Sequence, residues 1–104
     1  VGERTPSANE AIGLEIADAY TLEQNYPNPF NPSTSINYGL KNTSHVTLQV
    51  FDVTGRLVET LVDEQLSAGS YRVTFDAGNL ASGVYLYRMQ AGPTVITNRM
   101  LLLK

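Results

Sequence analysis

"RLVETLVDEQL", residues 56–66, decides the fold class of this chain. At a period of 3.6 residues, Leu57, Val58, Leu61, Val62 and Leu66 line one face of an amphipathic helix, which makes the protein α+β. The same residues also follow Gly55, the close of the four-residue turn "DVTG" at 52–55, and so read as the second arm of a hairpin in an all-β protein. The hairpin reading is preferred. The strand expected at 46–51 needs a hydrogen-bonding partner, and a tight turn supplies one at once. A strand at 57–62 is therefore expected.

Working outward, the period is two on both sides of this segment. Ile36, Tyr38 and Leu40 alternate with Asn37 and Gly39; Val46, Leu48 and Val50 with Thr47 and Gln49; Tyr71, Val73 and Phe75 with Arg72 and Thr74. These are three half-buried strands. Turn signals separate them at "KNTS" 41–44 and "SAGS" 67–70, and recur at "DAGNLASG" 76–83 and "AGP" 91–93. "GVYLYRM" at 83–89 and "TVITNRMLLLK" at 94–104 carry apolar residues on both faces, as central or doubly covered strands do. The sum is an immunoglobulin-like antiparallel β-sandwich of about seven strands.

Composition narrows the function classes. A chain of 104 residues, 42% apolar, makes one domain with a thin core. With no Cys, neither a disulfide nor a thiolate metal site is available. Net charge is −3, the pI is near 4.9, and the seven Lys and Arg are scattered, so no surface tracks phosphates and nucleic acid is not expected as a partner. No basic region followed by an apolar core opens the sequence, and no apolar run approaches a bilayer span. Residues 1–18, "VGERTPSANEAIGLEIAD", read as a flexible linker. The competing reading is a short helix over "SANEAIGLEIAD", residues 7–18, with Ser7 as N-cap and Glu10 in the capping box, which Gly13 and the shortness of the segment oppose.

The oddest stretch is "NYPNPFNPST", residues 25–34, with three Pro and three Asn. Pro lacks the N–H of a sheet ladder and pushes its predecessor out of the helical region, so 25–32 is neither helix nor central strand. Asn25, Asn28 and Asn31 recur every three residues, which in a polyproline II segment aligns three amides on one edge, with Tyr26, Pro29 and Pro32 on another. Such a segment either blunts a sheet margin against strand addition or is read by another protein.

"YTLEQNYPNPFNPSTSINYGL", "VTLQVFDVTGRLVETLV", "AGSYRVTFDAGNLASGVYLYRM" and "MLLLK", in that order, resemble the C-terminal sorting domain of the type IX secretion system of Bacteroidetes-like bacteria, over residues 20–104. The resemblance implies a noncatalytic address label at residues 19–104, carried behind an upstream passenger in the same polypeptide. It implies transit through the periplasm, recognition by the type IX translocon, frequent removal by a sortase-like peptidase, and delivery to the cell surface or the extracellular space. The residues it offers for recognition are Asn25, Pro27, Asn28, Pro29, Asn31 and Pro32, with the final strand Arg99, Met100, Leu101, Leu102, Leu103 and Lys104. Asp52, Gly55, Gly69 and Gly83 read as structural turn residues. A weak homodimer exchanging the final strand is a further partner reading.

Chemistry has few openings. His45, the sole His, follows Ser44, but neighbours on a strand point to opposite faces and make a poor nucleophile–base pair. A calcium site drawing on Asp76, Asn79 and loop carbonyls is the less favoured reading, since Ca²⁺ takes six or more oxygens and only two side chains are in view; no cofactor is expected. "NTS" at 42–44 fits a glycosylation acceptor but reads here as a turn. Tyr38 and Tyr71 are in phase with aliphatic neighbours and belong to the core, whereas Tyr85 and Tyr87 share a face. If exposed, that pair favours a carbohydrate-binding module; burial counts against it. A third reading, a plain spacer, leaves the last residues dispensable.

Overall fold

In the computed structural model, which describes residues 9–13 and 19–104, eight strands form two four-stranded sheets packed face to face. The strands are β1 Asn9–Gly13, β2 Thr21–Leu22, β3 Ser33–Leu40, β4 Ser44–Asp52, β5 Leu57–Leu66, β6 Gly69–Asp76, β7 Gly83–Ala91 and β8 Thr94–Leu102. One sheet has the order β1-β6-β3-β2 and the other β5-β4-β7-β8, and every strand pairing is antiparallel. The all-β sandwich is as expected, with eight strands in place of about seven.

Alternation builds the core. Ile36, Tyr38 and Leu40 of β3 and Tyr71, Val73 and Phe75 of β6 face Val46, Leu48 and Val50 of β4 and Tyr85, Tyr87 and Met89 of β7. Fully burying a side chain of this size contributes roughly 1.5–3 kcal/mol, so this layer dominates the stability of a domain without disulfides. Tyr38 and Tyr71 stack at 5.5 Å between centroids.

β5 is strand, and its helix-like pattern has a physical cause. The register to β4 slips twice, between Leu48 and Gln49 and between Val50 and Phe51, so that Leu48 opposes Val62, Gln49 opposes Thr60, Val50 opposes Glu59 and Phe51 opposes Leu57. Each slip is a β-bulge that inserts an extra residue into β5. At the first, Leu61 and Val62 are both buried, which reproduces in a strand the adjacent apolar pairs of a helix face.

Two five-residue segments, "SAGSY" 67–71 and "ASGVY" 81–85, open β6 and β7 in the same way. The Tyr71 hydroxyl donates to the Ser67 carbonyl at 2.8 Å, and the Tyr85 hydroxyl to the Ala81 carbonyl at 2.6 Å. Between them sit Gly69 and Gly83, with φ of 148° and 151°, a region that a Cβ opposes.

Two expectations need correction. Asn9–Gly13, inside the expected linker 1–18, is strand β1, paired with β6 and joined to β3 by the Tyr38 hydroxyl, which donates to Asn9 Oδ1 at 2.6 Å. Glu10, offered as a capping-box residue, instead pairs with Arg72 at 3.5 Å; Ser7 and the remainder of the segment lie outside the described residues. The second concerns 94–104, expected to be central or covered on both faces. β7 is central, but β8 is an edge strand, and its Val95, Thr97 and Arg99 are exposed because they point to the outward face of the sheet, on which no second layer packs among the described residues.

Candidate recognition site

The Asn-Pro segment connects β2 to β3 and lies along the outer edge of β8. The Phe30 amide donates to the Leu101 carbonyl at 3.0 Å, and the Leu103 amide donates back to the Phe30 carbonyl at 3.0 Å. Asn28 Oδ1 accepts the Leu101 amide at 3.0 Å, and the Gln24 side chain donates to the Arg99 carbonyl at 2.7 Å. The outward backbone groups of residues 99–103 are thereby occupied by a segment that cannot itself be extended into a strand. The two groups of residues singled out for recognition, Asn25–Pro32 and Arg99–Lys104, thus form one composite clasp.

The clasp is anchored from below by Tyr87. Its hydroxyl, buried in the core, donates to the Glu23 carbonyl at 2.8 Å and accepts the Asn25 amide at 2.9 Å. Burial pushes the Tyr87 phenol pKa up, with the bonds from Asn98 and Asn25 opposing. The Asn25 side chain, also buried, donates to Thr34 Oγ1 at 2.9 Å and to the Pro27 carbonyl at 3.0 Å, which also accepts the Thr34 hydroxyl at 2.8 Å. Phe30 drops between the sheets onto Phe75, with centroids 6.1 Å apart. Two hydrogen bonds between Tyr26 and Ser35, both 2.9 Å, fix the near end.

This arrangement is not the expected polyproline II edge. Asn25 is buried while Asn28 and Asn31 are exposed, because Asn25 serves the polar network around Thr34 and Pro27. The bonds preceding Pro27, Pro29 and Pro32 are cis. Pro27, Asn28, Pro29, Asn31 and Pro32 are all exposed, and above them stands Tyr26 at 81% exposure. Sequence reasoning left Tyr26 and Phe30 out of the recognition residues and weighed Tyr87 only as part of an aromatic platform. The signal for Phe30 was available, being the only large aliphatic or aromatic side chain between Pro27 and Pro32.

Along β8 the residues divide by face. Met100 and Leu102 are buried, Leu101 is half-buried on the outward face, and Arg99, Leu103 and Lys104 are exposed. Lys104 ties this end to the 76–83 loop, its amide donating to Ser82 Oγ at 2.9 Å and its Nζ to the Gly78 carbonyl at 2.7 Å.

Elsewhere the polar groups serve turns. Asp52 Oδ1 accepts the Thr54 hydroxyl at 2.6 Å and the Thr54 and Arg56 amides at 2.9 and 3.1 Å, while Oδ2 pairs with Arg56 at 3.3 Å. The Thr54 hydroxyl bond, followed by the Arg56 amide, holds the Asp52 carboxyl pKa below the ordinary carboxylate value. In the same turn Gly55 has φ of 89°. Asp76 Oδ1 accepts the Gly78 amide at 3.0 Å. Ser44 is buried against Tyr20, whereas His45 faces outward to Asp63 at 2.6 Å, so the two are split between faces. Among the described residues, no three His, Cys, Asp or Glu side chains are grouped to hold a metal ion. Tyr85 and Tyr87 are buried, which removes the aromatic platform a carbohydrate-binding module needs.

The fold and this composite edge define a β-sandwich module with a Pro-containing segment clasped along the edge of β8. The model of the family described as the secretion system C-terminal sorting domain matches residues 24–103, and the chain belongs to that family, the sorting domains of type IX secretion. No curated protein matches the chain. The match begins just before the Asn-Pro segment and ends within the clasp. As a type IX sorting signal, the domain directs export to the cell surface or the extracellular space, working with the type IX machinery on behalf of an upstream passenger.

Proposed function

We propose that the composite of the Asn-Pro segment and β8 is what the type IX translocon reads, with Tyr26, Asn28 and the exposed prolines as its contact face. The domain has no catalytic role of its own. It crosses the periplasm behind its passenger, and a sortase-like peptidase then removes it so that the passenger is attached at the surface or released. One observation carries this reading: four hydrogen bonds join residues 24–30 to residues 99–103 into a single edge. A large aromatic left 81% exposed on that edge fits interface use, where Tyr is enriched.

Truncating residues 100–104 is a poor test, since it strips Met100 and Leu102 from the core. Substitutions on the outer surface separate reading from folding. In a bacterium with a type IX system, this chain fused to a periplasmically exported fluorescent reporter is expected to reach the surface, and Tyr26→Ala and Asn28→Ala fusions to accumulate in the periplasm while remaining folded. Equal delivery of both variants would refute the clasp as the recognised element.

A further inference from the structure

We propose that the outward face of the β5-β4-β7-β8 sheet is a second docking surface, for a protein segment whose apolar centre is flanked by carboxylates. Register sets the face out in rows. Leu57, Phe51 and Leu86 lie side by side across three strands and Arg99 closes the row; beside it Val84 opposes Leu101. Leu57 and Val84 are exposed, and Phe51, Leu86 and Leu101 half-buried. The next rows, Thr60-Gln49-Arg88-Thr97 and Asp63-Thr47-Gln90-Val95, are mostly polar, as solvated sheet faces are. A contiguous apolar patch with a polar rim on such a face marks an interaction site.

The charges select the partner. Of the described arginines, Arg56 pairs with Asp52 and Arg72 with Glu10. Arg88 and Arg99 have no acidic partner among the described residues, and both lie on this face, Arg88 with its guanidinium 4.8 Å from the Phe51 ring centroid. In a chain of net charge −3, two unpaired guanidiniums at the margin of one apolar row fit carboxylates, which they bind in bidentate fashion. An anionic bilayer is opposed by the overall charge. A second copy offers on this face Asp63, which His45 already engages. Leu101 belongs to both surfaces, its backbone bonded to Phe30 and Asn28 and its side chain in the apolar patch, so the face continues the clasp. That the partner is a translocon component rests on the sorting reading above.

The probe is a short synthetic peptide with Leu at its centre and Glu at both ends, titrated into the isotope-labelled chain. Amide shifts are expected at Phe51, Leu57, Val84, Leu86 and Leu101, with affinity about tenfold lower for Arg88→Glu/Arg99→Glu and lower again in high salt. A peptide with Lys for Glu is expected to leave these amides unmoved. In the reporter fusion, Arg88→Glu/Arg99→Glu, checked for folding by thermal melt, and Leu57→Gln are both expected to reduce surface delivery. Absence of shifts on this face, equal binding of the two peptides, or unimpaired export of the double variant overturns the proposal. So do matching shifts produced by anionic vesicles or by raising protein concentration alone. Failure of the unmodified fusion to leave the cell instead counts against the sorting reading, independently of the peptide result.

Discussion

Replacing Tyr87 with Phe tests whether the clasp is held from the core. The ring keeps its place between the sheets, so the packing volume is nearly unchanged and the hydroxyl alone is lost. Two backbone groups lose their partner: the Asn25 amide in a residue only 2% exposed, and the Glu23 carbonyl in an exposed residue that can turn to water. Stranding one buried donor costs about 1–3 kcal/mol and losing an ordinary bond about 1 kcal/mol, so the change should destabilise by about 2–4 kcal/mol. For a domain of this size that is a fall in Tm of about 10–20 °C. Urea denaturation measures the change, and hydrogen exchange locates it: faster exchange is expected first at Asn25, Phe30 and Leu103, with β4 and β6 little affected. Tyr85→Phe, which loses a single local bond to Ala81, is the control and should cost about 1 kcal/mol. A Tyr87→Phe loss below that of the control, or exchange that rises uniformly, would refute the idea that this hydroxyl pins the segment.

Three further outcomes follow from geometry and charge. Gly69→Ala and Gly83→Ala share an unfavourable φ near 150°, worth about 1–3 kcal/mol, but a Cβ at Gly69 also comes within 3.2 Å of the Gly13 carbonyl while one at Gly83 meets nothing. Thermal melts should therefore place Gly69→Ala below Gly83→Ala, and equal melting temperatures would mean that β1 yields without cost. Burial raises the phenol pKa values of Tyr38 and Tyr87 above their ordinary value of 10.0, so the folded state holds those protons longer than the unfolded chain. Their contribution is whole below pH 10 and is lost as pH rises through the folded values, so denaturation midpoints should fall in that alkaline range. Asp52 acts with the opposite sign: its carboxyl is lowered, and its contribution is lost as pH falls through the folded value, an acid loss that Asp52→Asn should flatten.

Much of this fold was legible because alternation is a local signal. Ile36, Tyr38 and Leu40, or Tyr71, Val73 and Phe75, announce their buried face without reference to the rest of the chain. The bulges at β5 were not, since a slipped register depends on the partner strand and leaves in the sequence only apolar doublets that imitate a helix. β1 was equally hidden: Asn9–Gly13 lacks an apolar face and is held by ladder bonds to β6 and by one tyrosine hydroxyl. At the site, composition showed that 25–32 had to be irregular, but not that Asn25 would turn inward while Asn28 reached β8. Asn25 is turned inward by its side-chain bonds to Thr34 and Pro27 and by the Tyr87 hydroxyl on its amide, and Asn28 is held by the Leu101 amide; Tyr87 and Leu101 lie more than sixty residues away.

The separations across the clasp have a consequence for how the domain comes together. Its hydrogen bonds span 62 to 75 residues, whereas the corners at Tyr71 and Tyr85 each close over 4. Loop-closure entropy lets the corners form early and defers contacts of high sequence separation until the sheets are in place. The edge at which Asn28 and Phe30 bond to Leu101 therefore does not exist on a nascent or partly collapsed chain. A receptor that requires both halves of the clasp is blind to immature substrate, and its recognition step doubles as a checkpoint on completed folding.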